Sequence, residues 1–215
     1  MDFRIGLLVV IVMSSMSLYG QGGVNYLALG DSYTIGESVA EAERWPNQLA
    51  QKLKIPNPTI IATTGWRTDD LNSAIQSANL TNEYDLVSLL IGVNNQYQGK
   101  SAAQYEIEFE DLLKTAIQLA KGKSKNVFVV SIPDYGYTPF GKPKQEIITP
   151  RIDEFNQINK RIADKYQITY FNITGISRKG LDDPTLVAAD GLHPSGKMYA
   201  QWVAVISAGL KNKLK

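Results

Sequence analysis

Ser32, Asp190 and His193 carry the chemistry this sequence can offer. Ser32 follows an apolar run and the pair Gly30-Asp31. The chain has one histidine, His193, and no cysteine, so any imidazole base is His193 and a thiolate nucleophile is excluded. Asp190 stands three residues before His193 and can reach one imidazole nitrogen across a turn. Transfer of an acyl group to water needs such a set: a nucleophile, a base that takes its proton, and an acid that orients the base. It also needs donors for the oxyanion that develops on the carbonyl. The backbone N–H groups of Ser32 and Gly65 and the side-chain amide of Asn94 can serve. Gly65 has no side chain, so its N–H can approach a ligand closely. Each residue alone also has a plainer reading: Ser32 as a helix cap, Asp190-Gly191 as a turn, Asn94-Asn95 as loop.

What makes the set coherent is where it falls along the chain. Apolar runs at 24–29, 59–62, 85–91, 126–132 and 168–171 suit short buried strands. Between them lie segments with helical periodicity: 45–53, with Pro46 in the first turn, and 68–78, with Thr68 as cap and Asp69-Asp70 after it. A third helix opens at Ser101-x-x-Gln104, with Phe109, Leu112, Leu113, Ala116, Ile117 and Ala120 on one face. A fourth is expected from Thr149-Pro150, and a last from 195 to 210. Strands apolar throughout and alternating with amphipathic helices predict a parallel sheet covered on both faces. In such sheets ligands bind beyond the carboxyl ends of the strands. Ser32, Gly65 and Asn94 each follow a strand, and Asp190 and His193 come after the fifth. The longest irregular stretch, 133–148, is long enough to be a functional loop.

Length and composition set the bounds. The chain has 215 residues, 44% hydrophobic and 20% charged, with a formal net charge of +1. One globular domain is expected, with no charge signature of nucleic-acid binding. Residues 1–20 have the pattern of a secretory signal peptide: Arg4, a nonpolar run at 5–13, then small and polar residues. The run is too short to span a bilayer. The expected product is a secreted or periplasmic domain, 21–215, with no stable membrane insertion after cleavage. Gly191 to Lys197 matches the spacing of a phosphate loop, but Met198 stands where a Ser or Thr would hold magnesium.

Taken in order, Gly30-Asp31-Ser32, Gly65, Gly92-x-Asn94 and Asp190-x-x-His193-Pro194 resemble the four blocks of the SGNH/GDSL hydrolases, across residues 30–194. The resemblance implies a flavodoxin-like three-layer α/β/α sandwich with a parallel sheet of about five strands. It implies Ser32 as nucleophile, His193 as base and Asp190 as its orienting acid. The Ser32 N–H, the Gly65 N–H and the Asn94 side chain would form the oxyanion hole, with no metal or organic cofactor. The implied activity is hydrolysis of carboxylic esters or thioesters, lysophospholipase- or thioesterase-like, with removal of O-acetyl groups from extracellular carbohydrate as the close competitor. Expected partners are small-molecule, lipid or carbohydrate esters, and no nucleic acid. Trp66, Tyr97 and Tyr135, with Tyr137 and Phe140 nearby, are the candidate substrate contacts. A carbohydrate- or lipid-binding protein without turnover, or a purely structural exported domain, are the readings from other classes. Two positions depart from the pattern. Tyr33 follows the GDS triplet where many members have Leu, and Asn95 stands where the third block often has Asp.

Overall fold

The computed structural model describes residues 23–210. The segment read as a signal peptide lies outside the described residues. The five apolar runs form β1 (Tyr26–Gly30), β2 (Thr59–Ala62), β3 (Leu86–Leu90), β4 (Val127–Val130) and β5 (Thr169–Phe171). They pair in the order β2-β1-β3-β4-β5, parallel at every step. This is the flavodoxin-like order of a doubly wound sheet. Every residue of β1, β3 and β4 is buried, while the edge strands β2 and β5 are only partly covered. A strand covered on both faces has no polar side, which is why these runs lack alternation.

The helices are α1 (Ser32–Ile35), α2 (Trp45–Leu53), α3 (Thr68–Ser77), α4 (Val93–Tyr97), α5 (Ala102–Leu119), α6 (Gln145–Lys165), α7 (Thr174–Ser177) and α8 (Gly196–Leu210). Helix α2 packs against α8, and α5 packs between α3 and α6. With right-handed crossovers these two groups cover opposite faces of the sheet. Trp45, Trp202, Tyr105 and Phe155 are fully buried between helices and sheet. Tyr105 stacks on Phe155 with ring centroids 4.3 Å apart, and its hydroxyl reaches the Ile91 carbonyl and Asn159 Oδ1.

Three expectations need correction. The helix expected from Thr149-Pro150 starts at Gln145 and carries Pro150 inside it. The Thr149 hydroxyl is not a cap; it donates to Asp134 Oδ2 at 2.9 Å. Pro150 lies one turn in, so the bond it cannot make is to the exposed Glu146 carbonyl, which water can satisfy. Thr68 does not cap α3 either. It is the first helical residue, and Asp70 accepts from the Arg67 N–H before it. Asn94 and Asn95 belong to the short helix α4 rather than to a loop.

Stretch 133–148 is also more ordered than its composition suggests. It forms 3₁₀ turns at Tyr135–Tyr137 and Lys142–Lys144 and then enters α6. Its anchor is Asp134, fully buried, which accepts from the Gly136 N–H, Thr149 Oγ1 and Arg178 Nε. The Asp134 N–H donates to Ser177 Oγ.

The register brings the functional loops level. Gly30 lies opposite Ala62 on one side and Leu90 on the other. Gly92 then turns the chain from β3 into α4 with φ of 125°. A Cβ there would meet the Tyr105 hydroxyl and ring carbons at 2.4–2.8 Å. Gly92→Ala is expected to cost about 1–3 kcal/mol in backbone strain, with the clash in addition. Urea denaturation of the variant against the parent measures this; an unchanged midpoint would refute it.

Candidate active site

Ser32 opens α1 directly after the end of β1. Asp31 caps that helix: its carboxylate accepts from the Tyr33 N–H at 3.0 Å, and its carbonyl accepts from Thr34 and Ile35. This packing leaves the Ser32 N–H at the helix start, where backbone donors have no intrahelical partner. Asp31 is fully buried and its Oδ2 has no hydrogen-bond partner. Burial pushes its carboxyl up to about 7, against the pull of the Tyr33 N–H. Tyr33, the departure from the Leu pattern, is buried edge-on to the imidazole of His193, with ring centroids 5.6 Å apart.

His193 and Asp190 lie on the loop before α8. His193 Nδ1 and Asp190 Oδ2 are 2.6 Å apart. Asp190 Oδ1 accepts from the backbone N–H groups of Leu192 and His193, each at 2.9 Å, and Oδ2 also accepts from Ser38 Oγ at 2.7 Å. Burial opposes the charge of Asp190, but these donors outweigh it and hold the carboxyl well below the usual carboxylate range. With Asp190 ionised, the proton on Nδ1 is held and Nε2 is left as the acceptor. The loop is closed by an antiparallel bridge between Val187 and Pro194 and by the Ala188 N–H on the His193 carbonyl. Lys197 belongs to the same clamp, paired with Asp183 at 2.9 Å.

Asn94 and Asn95 tie the third block to the second. Asn94 Nδ2 donates to the Trp66 carbonyl at 2.9 Å, which uses one of its two N–H bonds and aims the other. Asn95 is fully buried. Its Oδ1 accepts from the Thr68 N–H at 3.1 Å, and its Nδ2 donates to Thr68 Oγ1 at 2.6 Å and to Glu108 Oε2 at 3.4 Å. Thr68 Oγ1 in turn donates to the same Glu108 oxygen. The Asn at this position therefore supports the loop through a donor that an Asp would lack.

Ser32, Asn94 and His193 line one cavity of about 160 Å³, together with Tyr33, Val93, Tyr97, Tyr135, Phe140 and Leu192. Ser32 is 4% and His193 8% exposed, so both sit at the bottom of an opening rather than on open surface. Tyr97, Tyr135 and Phe140 form a ring cluster with centroids 6.2–6.5 Å apart. Tyr97 and Phe140 are 60% and 52% exposed and make the rim. Burial pushes the Tyr135 phenol up to about 12, and its hydroxyl rests on Gln96 Oε1.

Gly65 and Trp66 are not among the residues lining this cavity. Gly65 is exposed with φ of 85°, and a Cβ there would meet nothing within 4 Å. Its glycine is required by backbone geometry, not by crowding. Trp66 contributes its carbonyl to Asn94 while it packs against the core. Tyr137 lies beneath the Arg178 guanidinium at 5.9 Å, not in the cavity wall. Sequence reasoning missed Ser38, Glu108 and Asp134, since no local spacing marks partners found in distant loops.

Two outcomes are expected from this geometry. Asn95→Asp puts a second carboxylate beside Glu108 and should cost about 1–3 kcal/mol, with Glu108→Gln restoring most of it. Urea denaturation of the two single variants and the double variant decides; no recovery in the double would break the assignment. The second concerns pH. Asp31 titrates near its ordinary 3.8 when unfolded and at about 7 when folded. The folded state binds its proton more tightly, so stability falls as pH rises from about 4 to about 7 and then levels. Asp31→Asn should flatten that decline in melting temperature; a slope equal to the parent's would place its origin elsewhere.

The model of the GDSL-like lipase/acylhydrolase family matches residues 28–201. No curated protein matches the chain. Among solved structures, a member of the lipolytic G-D-S-L family from Veillonella parvula is similar, with a TM-score of 0.69 and 16% identity over 87% of this chain and 98% of that one. A lipase/acylhydrolase from Enterococcus faecalis has a TM-score of 0.66 and 20% identity, over 88% and 96%. An acetylxylan esterase from Geobacillus stearothermophilus has a TM-score of 0.64 and 17% identity, over 89% and 94%. At such identities the structural likeness speaks for the fold. The family match runs from β1 into α8 and takes in Ser32, Asn94, Asp190 and His193, and the chain belongs to the GDSL-like lipase/acylhydrolase family.

Proposed function

We propose that this family member is a serine ester hydrolase in which Ser32, His193 and Asp190 act as a triad on short acyl esters. The observation that carries the reading is the meeting of Ser32, His193 and Asn94 in one small apolar cavity, with Asp190 bonded to the far side of the imidazole. In this reading His193 Nε2 takes the Ser32 proton as Oγ attacks the ester carbonyl. The oxyanion is received by the Ser32 N–H and the free N–H of Asn94, and by the Gly65 N–H, which lies outside the cavity lining but one residue before the Trp66 carbonyl that Asn94 holds. Collapse expels the alcohol, which takes the proton from His193, and leaves Ser32 acylated. Water repeats the sequence and frees the acid. Asp190 holds the imidazole in the tautomer that leaves Nε2 unprotonated and stabilises the imidazolium as it forms.

The cavity size supports the acyl preference. A closed apolar cavity of about 150 Å³ holds a benzene-sized ligand. The volume here is similar, about 160 Å³. An acyl group of about six carbons fills it, and a longer chain must pass the rim of Tyr97 and Phe140. That favours short esters over lysophospholipids. The exposed rings of the rim also suit stacking on a sugar, and the similar structure from Geobacillus stearothermophilus is an acetylxylan esterase. An O-acetylated carbohydrate is therefore the second reading. Export follows from the N-terminal pattern of residues 1–20 and is part of the same proposal; the N-terminal sequence of the protein recovered outside the cytoplasm tests it.

Turnover on p-nitrophenyl esters from acetyl to palmitoyl tests the central claim. The expected optimum lies between acetyl and hexanoyl, and Ser32→Ala should lower kcat by about 10⁴-fold or more. Asn94→Ala should lower it by about 10²–10³-fold. An optimum at palmitoyl would overturn the short-acyl assignment. Failure of a fluorophosphonate to label Ser32, together with no turnover at any chain length, would leave a binding protein.

A further inference from the structure

We propose that Ser38 is a positioning residue for the Asp190–His193 pair. The inference rests on the reading of His193 as base. Three observations meet at this residue. First, Ser38 Oγ donates to Asp190 Oδ2 at 2.7 Å, the oxygen that also holds His193 Nδ1 at 2.6 Å. With the two backbone donors on Oδ1, each carboxylate oxygen carries two partners, so the group is held against rotation. Ser38 is the member of that set that comes from outside the histidine loop, 152 residues earlier in the chain.

Second, the Ser38 backbone has φ of 64°. This left-handed region is uncommon for residues other than glycine and asparagine. If the turn needed only its backbone shape, glycine would serve it better. The hydroxyl is what serine adds at that cost, and the hydroxyl is on Asp190. Local strain kept by a specific contact is a mark of functional positions.

Third, the same turn also reaches the other arm of the site. Glu37, next in the chain, accepts a hydrogen bond from Thr64 Oγ1, adjacent to Gly65. Two residues after α1 thus bind both the loop of the orienting acid and the loop of a proposed oxyanion donor. The turn follows the nucleophile's own helix, so Ser32 and Asp190 are set in one frame. When His193 becomes an imidazolium in the transition state, the Asp190 charge must stay opposite it. Ser38 keeps that carboxylate in place.

Ser38→Gly separates the hydroxyl from the backbone. It relieves the left-handed strain and removes the donor. The expected result is a melting temperature equal to or above the parent's, KM within about twofold, and kcat lower by about tenfold or more, as for loss of a hydrogen bond to a charged group. Ser38→Asn tolerates the same backbone and supplies an amide donor, and should recover most of kcat. The single histidine gives a second readout: its Nδ1 proton resonance should move in Ser38→Gly and return in Ser38→Asn. Unchanged kcat with an unmoved resonance overturns the proposal, as does a kcat loss that tracks a lower melting temperature. If the parent itself turns over no ester, the hydrolase reading fails, and the resonance still decides whether Ser38 controls the pair.

Discussion

The parallel pairing of β1 with β3 is the constraint on which the rest depends. Gly30 faces Leu90 across that pair. The chain then leaves the two strands in different directions: β1 leads through α1 and α2 to β2 on one side, and β3 leads through α4 and α5 to β4 on the other. At such a switch point the connections diverge and a crevice opens above the strand ends. Ser32 stands on one lip and Asn94 on the other. The hydrophobic burial of β1, β3 and β4 therefore does more than stabilise the molecule. It fixes the separation between two groups that have no direct contact in sequence.

Strand ends set position to within a few ångströms, and polar contacts between loops set orientation. The contacts that do this are Asn94 on the Trp66 carbonyl, Asn95 on Thr68, Glu37 on Thr64, Ser38 on Asp190 and the Phe140 N–H on the Gly191 carbonyl. Each joins segments that follow two different strands. The Asn95–Thr68 bond is buried, where a hydrogen bond is strong and the loss of one partner is costly, and the Asn94–Trp66 bond is partly buried. The loops around the cavity thus form a closed set in which every one is held by at least one other.

Much of this was legible beforehand because it depends on local rules. Continuous apolar runs mark strands covered on both faces, and helix α2 and strand β2 begin and end where periodicity and β-branching place them. The order of Ser32, Gly65, Asn94 and Asp190–His193 along the chain told of one sheet edge. What could not be read were features decided by tertiary partners. Thr149-Pro150 has the composition of a helix start, yet the Thr149 hydroxyl is taken by Asp134 and the helix begins a turn earlier. Thr68 resembles a cap for the same local reason, but its hydroxyl faces Glu108. Trp66 looked like a substrate contact by virtue of its ring; what it gives the site is a backbone carbonyl. Ser38 carries no signal at all, since nothing in its neighbourhood points to a residue 152 positions away.

The anchoring of stretch 133–148 on Asp134 has a thermodynamic consequence for recognition. Tyr135 is carried on a 3₁₀ turn and Phe140 on the turn between it and the next, in a stretch tied to α6, to Ser177 and to Arg178, and the Phe140 N–H is bonded to the histidine loop. The aromatic wall is thus ordered before any ligand arrives. Its conformational entropy is lost on folding, not on association. Ligands should then be sorted by how they match a standing shape, with selectivity residing in the side chains of the wall rather than in the energetics of a closing loop.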